Sequence, residues 1–189
     1  TPMNGIDYTV ANHLSKSAEL IKTLKSYETE DISKLMGLSS NLAFLNFERY
    51  QSWKKPTKPS ADARQAVFAF QGDVYQGLEA ATMKKGDLKF AQKHLRILSG
   101  LYGVLKPLDL MAPYRLEMGT KLATKKHDDL YGFWKDTLTA DINEQLAEQK
   151  DSTLINLASN EYFNALNKKD IVGDIVSPVF KDFKNGDYK

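Results

Sequence analysis

The stretch DLKFAQKHLRILSGLYGVLKPLDLMAPYRLEMG, residues 87–119, decides how the rest of the chain is read. Asp87 follows Gly86 as an N-cap, and Lys89, Lys93 and Arg96 then recur at i, i+4 and i+7, along one basic edge of a helix. Phe90, His94, Leu95 and Leu98 take the opposing, largely apolar side. Gly100 stops the helix, residues 101–103 form a tight connection, and Lys106 with Pro107 opens another helical turn, since proline is tolerated at the first helical position. Pro113 ends that turn. Over residues 114–118 the pattern changes to alternation. Tyr114, Leu116 and Met118 point one way, while Arg115 and Glu117 point the other, about 7 Å apart along a strand.

Composition limits what such a stretch can do. The chain has 189 residues, 42% hydrophobic and 26% charged, which suits a single domain (1–189) with a real core. Its 26 Lys and Arg against 24 Asp and Glu leave a net charge of +2, so any polyanion partner must be recognised by local clustering. There is no cysteine, which removes disulfides, thiolate metal sites and cysteine nucleophiles. His13, His94 and His127 have no metal-ligand spacing, and neither a metal nor a cofactor is expected. No apolar run reaches the roughly 18 residues that cross a bilayer and no signal peptide is visible, so the expectation is a cytoplasmic protein.

Working outward, residues 8–26 read as a helix with Leu14, Ala18, Ile21 and Leu24 on one face. Thr29 caps a second helix that stops at Gly37, and Ser40 caps a third over residues 41–53. Residues 54–60, with two prolines and three lysines, form a loop. The apolar run over 66–70 reads as a buried strand, followed by a helix over 74–81. Leu130, Trp134, Leu138, Ile142 and Leu146 mark the packed face of a strong helix opened by residues 127–129. A strand over 153–157 breaks into a helix near Asn160, and a last strand covers 175–180. Asn185-Gly186 is a hairpin signal whose return strand stops at Lys189, so further C-terminal sequence is expected. Glycine-rich nucleotide fingerprints are absent. The fold class is α+β, a mixed sheet with surrounding helices.

Three corners could carry chemistry. Gly100 and Gly103 in a hairpin between helices, with Lys89, Lys93, Arg96 and Lys106 around them, would bind phosphate without sequence preference; the alternative is a packed corner with solvated lysines. Arg115 and Glu117 form either a surface ion pair or one wall of a cleft in which Arg115 holds an anion and Glu117 moves a proton. Asn156, Ser159 and Glu161 sit where a strand hands over to a helix, and Asp73 follows the apolar run at 66–70 in the same manner. If these corners converge, Asp73, Arg115, Glu117, Asn156, Ser159 and Glu161 line one cleft, and an enzyme acting on a nucleotide, nucleobase or nucleic acid becomes the alternative to a DNA binder. Otherwise they are ion pairs and caps.

Four blocks, AFQGDVYQGLEA (69–80), HLRILSGLYGVLKPLDLMAPYRLEMG (94–119), LYGFW (130–134) and INLASNEYF (155–163), resemble the signature blocks of the YaaA family of bacterial peroxide-stress proteins. The resemblance implies a cytosolic protein that limits DNA and protein damage under hydrogen peroxide by keeping unincorporated iron low. It implies the α+β arrangement called the cantaloupe fold, and DNA binding through a helix-hairpin-helix motif and a positively charged cleft. Only residues 89–112 match that motif, with Leu101 and Tyr102 between the glycines where the usual hairpin has one residue. The family also begins with a Ser-Pro-Ala-Lys segment and continues into a basic Lys-Lys-Ala-Arg-Gly stretch, neither of which is present.

Overall fold

The computed structural model describes residues 6–181, together with the backbone of 183–184 and 187–188. A short strand, β1 (Thr9–Val10), precedes α1 (Leu14–Leu24), whose Leu14, Leu20, Ile21 and Leu24 are buried. The helix expected over 8–26 is thus shorter, because its first residues pair into a sheet. In α2 (Thr29–Met36), the backbone N–H of Glu28 donates to Asp31 Oδ2 at 3.0 Å, and Gly37 ends the helix at φ 63°, a left-handed C-cap. α3 (Ser40–Ser52) buries Ala43, Asn46 and Tyr50, with Trp53 just beyond it, and turns Leu42 and Leu45 outward.

The apolar run at 66–70 is a correction. Only Arg64–Gln65 extend as β2, and Ala66–Ala69 close a helical turn, α4. Periodicity cannot separate a buried strand from a buried helix over so few residues, and two alanines favour the turn. α5 (Asp73–Leu78) and a 3-10 turn over Ala80–Thr82 lead to α6 (Lys85–His94). Asp87 lies inside α6 rather than at its cap, where its carboxylate accepts from the Lys84 N–H at 2.9 Å.

α6 ends at His94, six residues before Gly100, and the chain turns into a β-hairpin of β3 (Ile97–Ser99) and β4 (Gly103–Leu105). The helix-hairpin-helix reading is corrected here. The connection has strands on both sides, and no second helix follows Lys106; instead β5 (Asp109–Met111) begins. A three-residue loop closed by a left-handed glycine, Gly103 at φ 73°, is a regular hairpin geometry. Ile97 and Val104, β-branched, suit strands better than a helix.

β5 is the centre of a mixed three-stranded sheet, parallel to β1 and antiparallel to β2. Asp109, only 3% exposed, ties this sheet to α6. Its carboxylate accepts from Thr9 Oγ1 at 2.6 Å and from the Lys106 N–H at 2.8 Å. Gln92 of α6 donates to Thr9 Oγ1 and accepts from the Leu108 N–H. Every polar group of the knot therefore has a partner, as burial demands.

α7 (Leu130–Ala147) starts at an N-cap in which Asp129 Oδ1 accepts from the Gly132 N–H at 2.8 Å. All five residues of the expected stripe are buried, each burial worth roughly 1.5–3 kcal/mol. Trp134 lies under the hairpin. β6 (Thr153–Ile155) and β7 (Asp174–Val176) pair in parallel at the edge of the core, with Leu154 and Ile175 partly buried against it, and α8 (Asn160–Phe163) inserts Phe163. β8 (Phe183–Lys184) and β9 (Asp187–Tyr188) pair antiparallel around the expected Asn185-Gly186 turn, whose two residues lie outside the described ones. With eight α-helices and small sheets among the described residues, the fold is α+β.

Candidate functional site

The basic residues of the central stretch separate into two environments. Lys89 and Lys93 are exposed on α6. Arg96 has left the helix; half-buried, it donates to the Gln92 and Leu95 carbonyls at 3.1 and 2.7 Å, closing the C-terminus of α6. Desolvation pulls its guanidinium below its usual pKa, against the opposing pull of Asp109, Glu148 and Asp141. Arg96 and Lys106 line a cavity of about 20 Å³ with Asp109, Asp141 and Glu144, room for about one water. Asp141 is paired to His13 across this edge of α7. These two cations are set among carboxylates, not along an open basic edge.

The two glycines are inside. A Cβ on Gly100 would lie 2.2 Å from the Leu116 carbonyl oxygen, and one on Gly103 would lie 2.7 Å from the Trp134 ring. Trp134 Nε1 donates to the Gly100 carbonyl at 2.9 Å, and the Tyr102 N–H donates to Ser99 Oγ at 2.9 Å. Glycine is required at both positions by close approach, and the turn is packed rather than presented to solvent.

Residues 112–117 belong to no strand or helix, yet the alternation of burial holds. Leu116 and Met118 are buried, and Arg115 and Glu117 face out as a 2.6 Å ion pair, 44% and 46% exposed. The Tyr50 hydroxyl donates to the Arg115 carbonyl and pins this segment to α3. Glu161, in the first turn of α8, accepts from the Gly119 N–H at 2.8 Å, and Tyr131 donates to its carbonyl at 3.0 Å. Burial raises the Tyr162 phenol, with the carboxylates of Glu161 and Glu117 adding to the effect and Arg115 opposing it. The charges of Glu161, Glu117 and Arg115 thus all act on the Tyr162 phenol, and Glu161 bonds the backbone two residues beyond Glu117.

The other three expected cleft residues take different roles. Asn156 Oδ1 accepts from the Ala158 N–H at 3.0 Å, and its amide reaches Ser177 Oγ, shaping the turn after β6. Ser159 occupies the N-cap of α8 without a side-chain capping bond. Asp73 is exposed at the start of α5; the same helix stacks Tyr75 on Phe70, ring centroids 5.2 Å apart. Sequence reasoning puts Tyr162 beside Glu161 in the first turn of α8 but misses Tyr50 and Tyr131, whose hydroxyls donate to the backbone carbonyls of Arg115 and Glu161.

Phe90 and His94 also differ from expectation. Because α6 stops at His94, Leu95 and Leu98 no longer extend its apolar side, and the inner stripe is Leu88, Ala91 and Gln92, at i, i+3 and i+4. Phe90 is turned outward beside Lys89 and Lys93, 66% exposed, with its ring centroid 4.3 Å from that of His94.

A family model described as "Peroxide stress protein YaaA" matches residues 2–189. The chain belongs to the YaaA peroxide stress protein family. Relatives within it carry the name UPF0246 protein. One from Saccharophagus degradans is 53% identical over 189 residues, all of this chain and 73% of that protein. One from Hahella chejuensis is 52% identical with the same coverage, and one from Teredinibacter turnerae is 50% identical over 198 residues, 77% of its length. Among the described residues, no group of three or more His, Cys, Asp or Glu side chains could hold a metal ion, and no helix is long and apolar enough to cross a membrane.

Proposed function

We propose that this YaaA family chain is a cytoplasmic DNA-binding protein of the peroxide response, gripping the phosphate backbone through the outer face of α6. The observation that carries the reading is the charge of that face. Lys85, Lys89 and Lys93 are exposed, and the only carboxylate of the helix, Asp87, is engaged by the Lys84 N–H. Ammonium groups in a row, with no ion-pair partner among the described residues, attract a polyanion regardless of its sequence. Fluorescence anisotropy with a labelled duplex tests it: affinity falls steeply with salt, and Lys89→Ala with Lys93→Ala flattens the slope by roughly 1.8, about 0.9 per phosphate contact. An unchanged slope assigns the grip elsewhere. We also propose that the protein lowers unincorporated iron in the cell, and so limits DNA and protein damage. EPR-visible iron in peroxide-challenged cells with and without the gene is the corresponding measurement.

The Arg115–Glu117 ion pair, with Glu161 bonded to the backbone of nearby Gly119, favours a second reading, an enzyme acting on a nucleotide, nucleobase or nucleic acid. A cation and two carboxylates in one place supply an anion holder and a proton carrier. Calorimetry with nucleotides and nucleobases on the protein and its Arg115→Ala variant decides this reading. No heat from any of them leaves the trio as a structural tie between residues 115–119 and α8.

A further inference from the structure

We infer that α6 carries a stacking slot for an unpaired nucleobase, formed by Phe90 between His94 and Gly86. The inference rests on the nucleic-acid reading above and names the strand form it prefers. In a helix, side chains lean toward the N-terminus, so the ring of Phe90 lies over the turn below it, at the i−4 position. That position is Gly86, where an added Cβ would meet nothing within 4 Å. On the other side, at i+4, the His94 ring stands 4.3 Å away, tilted by 33°. One face of Phe90 is therefore supported and the other is open.

A phenyl ring left 66% exposed in the middle of a cationic helix face takes no part in the core, its one ring contact being His94 of the same helix. It does fit a partner that is anionic and carries flat rings. Lys93, at i+3 from Phe90, shares its side of the helix, and Lys89, four residues before Lys93, continues the basic edge along which the phosphates of a strand stacked on the ring would run. In a duplex each base already has both faces covered by its neighbours. A single strand, a gap or a frayed end offers the free face that the slot takes, and stacking accepts any base.

The test compares a fluorescein-labelled single strand with the blunt duplex of the same sequence, at one salt concentration. Phe90→Ala is expected to weaken single-strand binding about tenfold and duplex binding less than about twofold. Gly86→Leu, which fills the slot without touching charge, gives the same loss, and Phe90→Trp retains affinity with its new fluorescence quenched by the base. Both replaced positions are exposed, so circular dichroism of the variants remains that of the parent. Equal losses on both strand forms, or none, overturn the slot while leaving backbone binding intact. If the unaltered protein binds neither form, the nucleic-acid reading itself fails. If Phe90→Ala abolishes self-association in sedimentation and leaves strand affinity unchanged, the face belongs to a second copy and the slot is overturned.

Discussion

Helix α6 and the β3–β4 turn are adjacent in sequence and opposite in character. The helix turns Lys89, Phe90, Lys93 and His94 outward, and the turn buries Gly100 and Gly103 against Leu116 and Trp134. Both look like phosphate-binding material as a string of letters. What separates them is neighbours: a glycine that lets a ligand approach and a glycine that lets a tryptophan approach are the same residue. Perturbing the turn is therefore predicted to act on stability, and perturbing the helix on binding.

The largest effect is expected at Gly100. Its Cβ would strike a backbone oxygen, which no rotamer change can relieve, so Gly100→Ala should cost about 3 kcal/mol or more in urea denaturation. Gly103→Ala follows, combining about 1–2 kcal/mol of left-handed strain with overpacking against Trp134, whose ring has some freedom to shift. A full parental midpoint for either variant would break the contrast between buried turn and open helix.

Alkaline pH probes the packing beside the turn. Tyr102 and Tyr75 are each pushed from 10.0 up to about 12, mainly by burial, and Tyr114 is raised well above its ordinary value for the same reason. The Tyr102 hydroxyl also accepts from Trp53 Nε1 and from the Ala112 N–H. A raised phenol favours its protonated form in the folded state. Its contribution is complete below about pH 10 and is lost as pH rises toward about 12, where only the unfolded chain has released its protons. Denaturation midpoints should thus fall between pH 9.5 and pH 11.5 (~two points on this slope), with part of the phenolate absorbance, that of the buried tyrosines, appearing only on unfolding.

Removing the α7 cap with Asp129→Ala is expected to cost about 1 kcal/mol, a local loss that leaves DNA affinity unchanged. The smallest change in stability, within about 0.5 kcal/mol, is expected for Lys89→Ala with Lys93→Ala, the pair with the greatest expected effect on the salt slope. A large destabilisation in that pair would mean that α6 is not the free face described.

Long periodic segments are legible in the sequence. The α7 stripe could be read because five residues repeat every four positions and all face one core. The α2 stop could be read because Gly37 needs its left-handed angle. Short segments were not: at Ala66–Ala69 and at the hairpin, tertiary neighbours chose between strand and helix, and propensity over three or four residues is too weak to resist them. At the site, alternation placed Arg115 and Glu117 on one side, where they pair, while strand-end reasoning singled out Glu161, which bonds the Gly119 backbone. The same reasoning overreached with Asn156 and Ser159, because a residue that shapes a turn and one that faces a ligand share the same sequence position.

The knot at Asp109 has a consequence for how the molecule assembles. Thr9 and Asp109 bond across 100 residues of chain, and Gln92 of α6 joins the same knot. Closing so long a loop costs entropy before any contact repays it, so this sheet forms late and folding is slowed relative to a helical protein of equal size. The inner side of α6 is fastened by that event. A nascent chain lacking β5 has the lysines of α6 but no fixed surface on which to hold them, and the outer face takes its final form only once the ends of that loop have met.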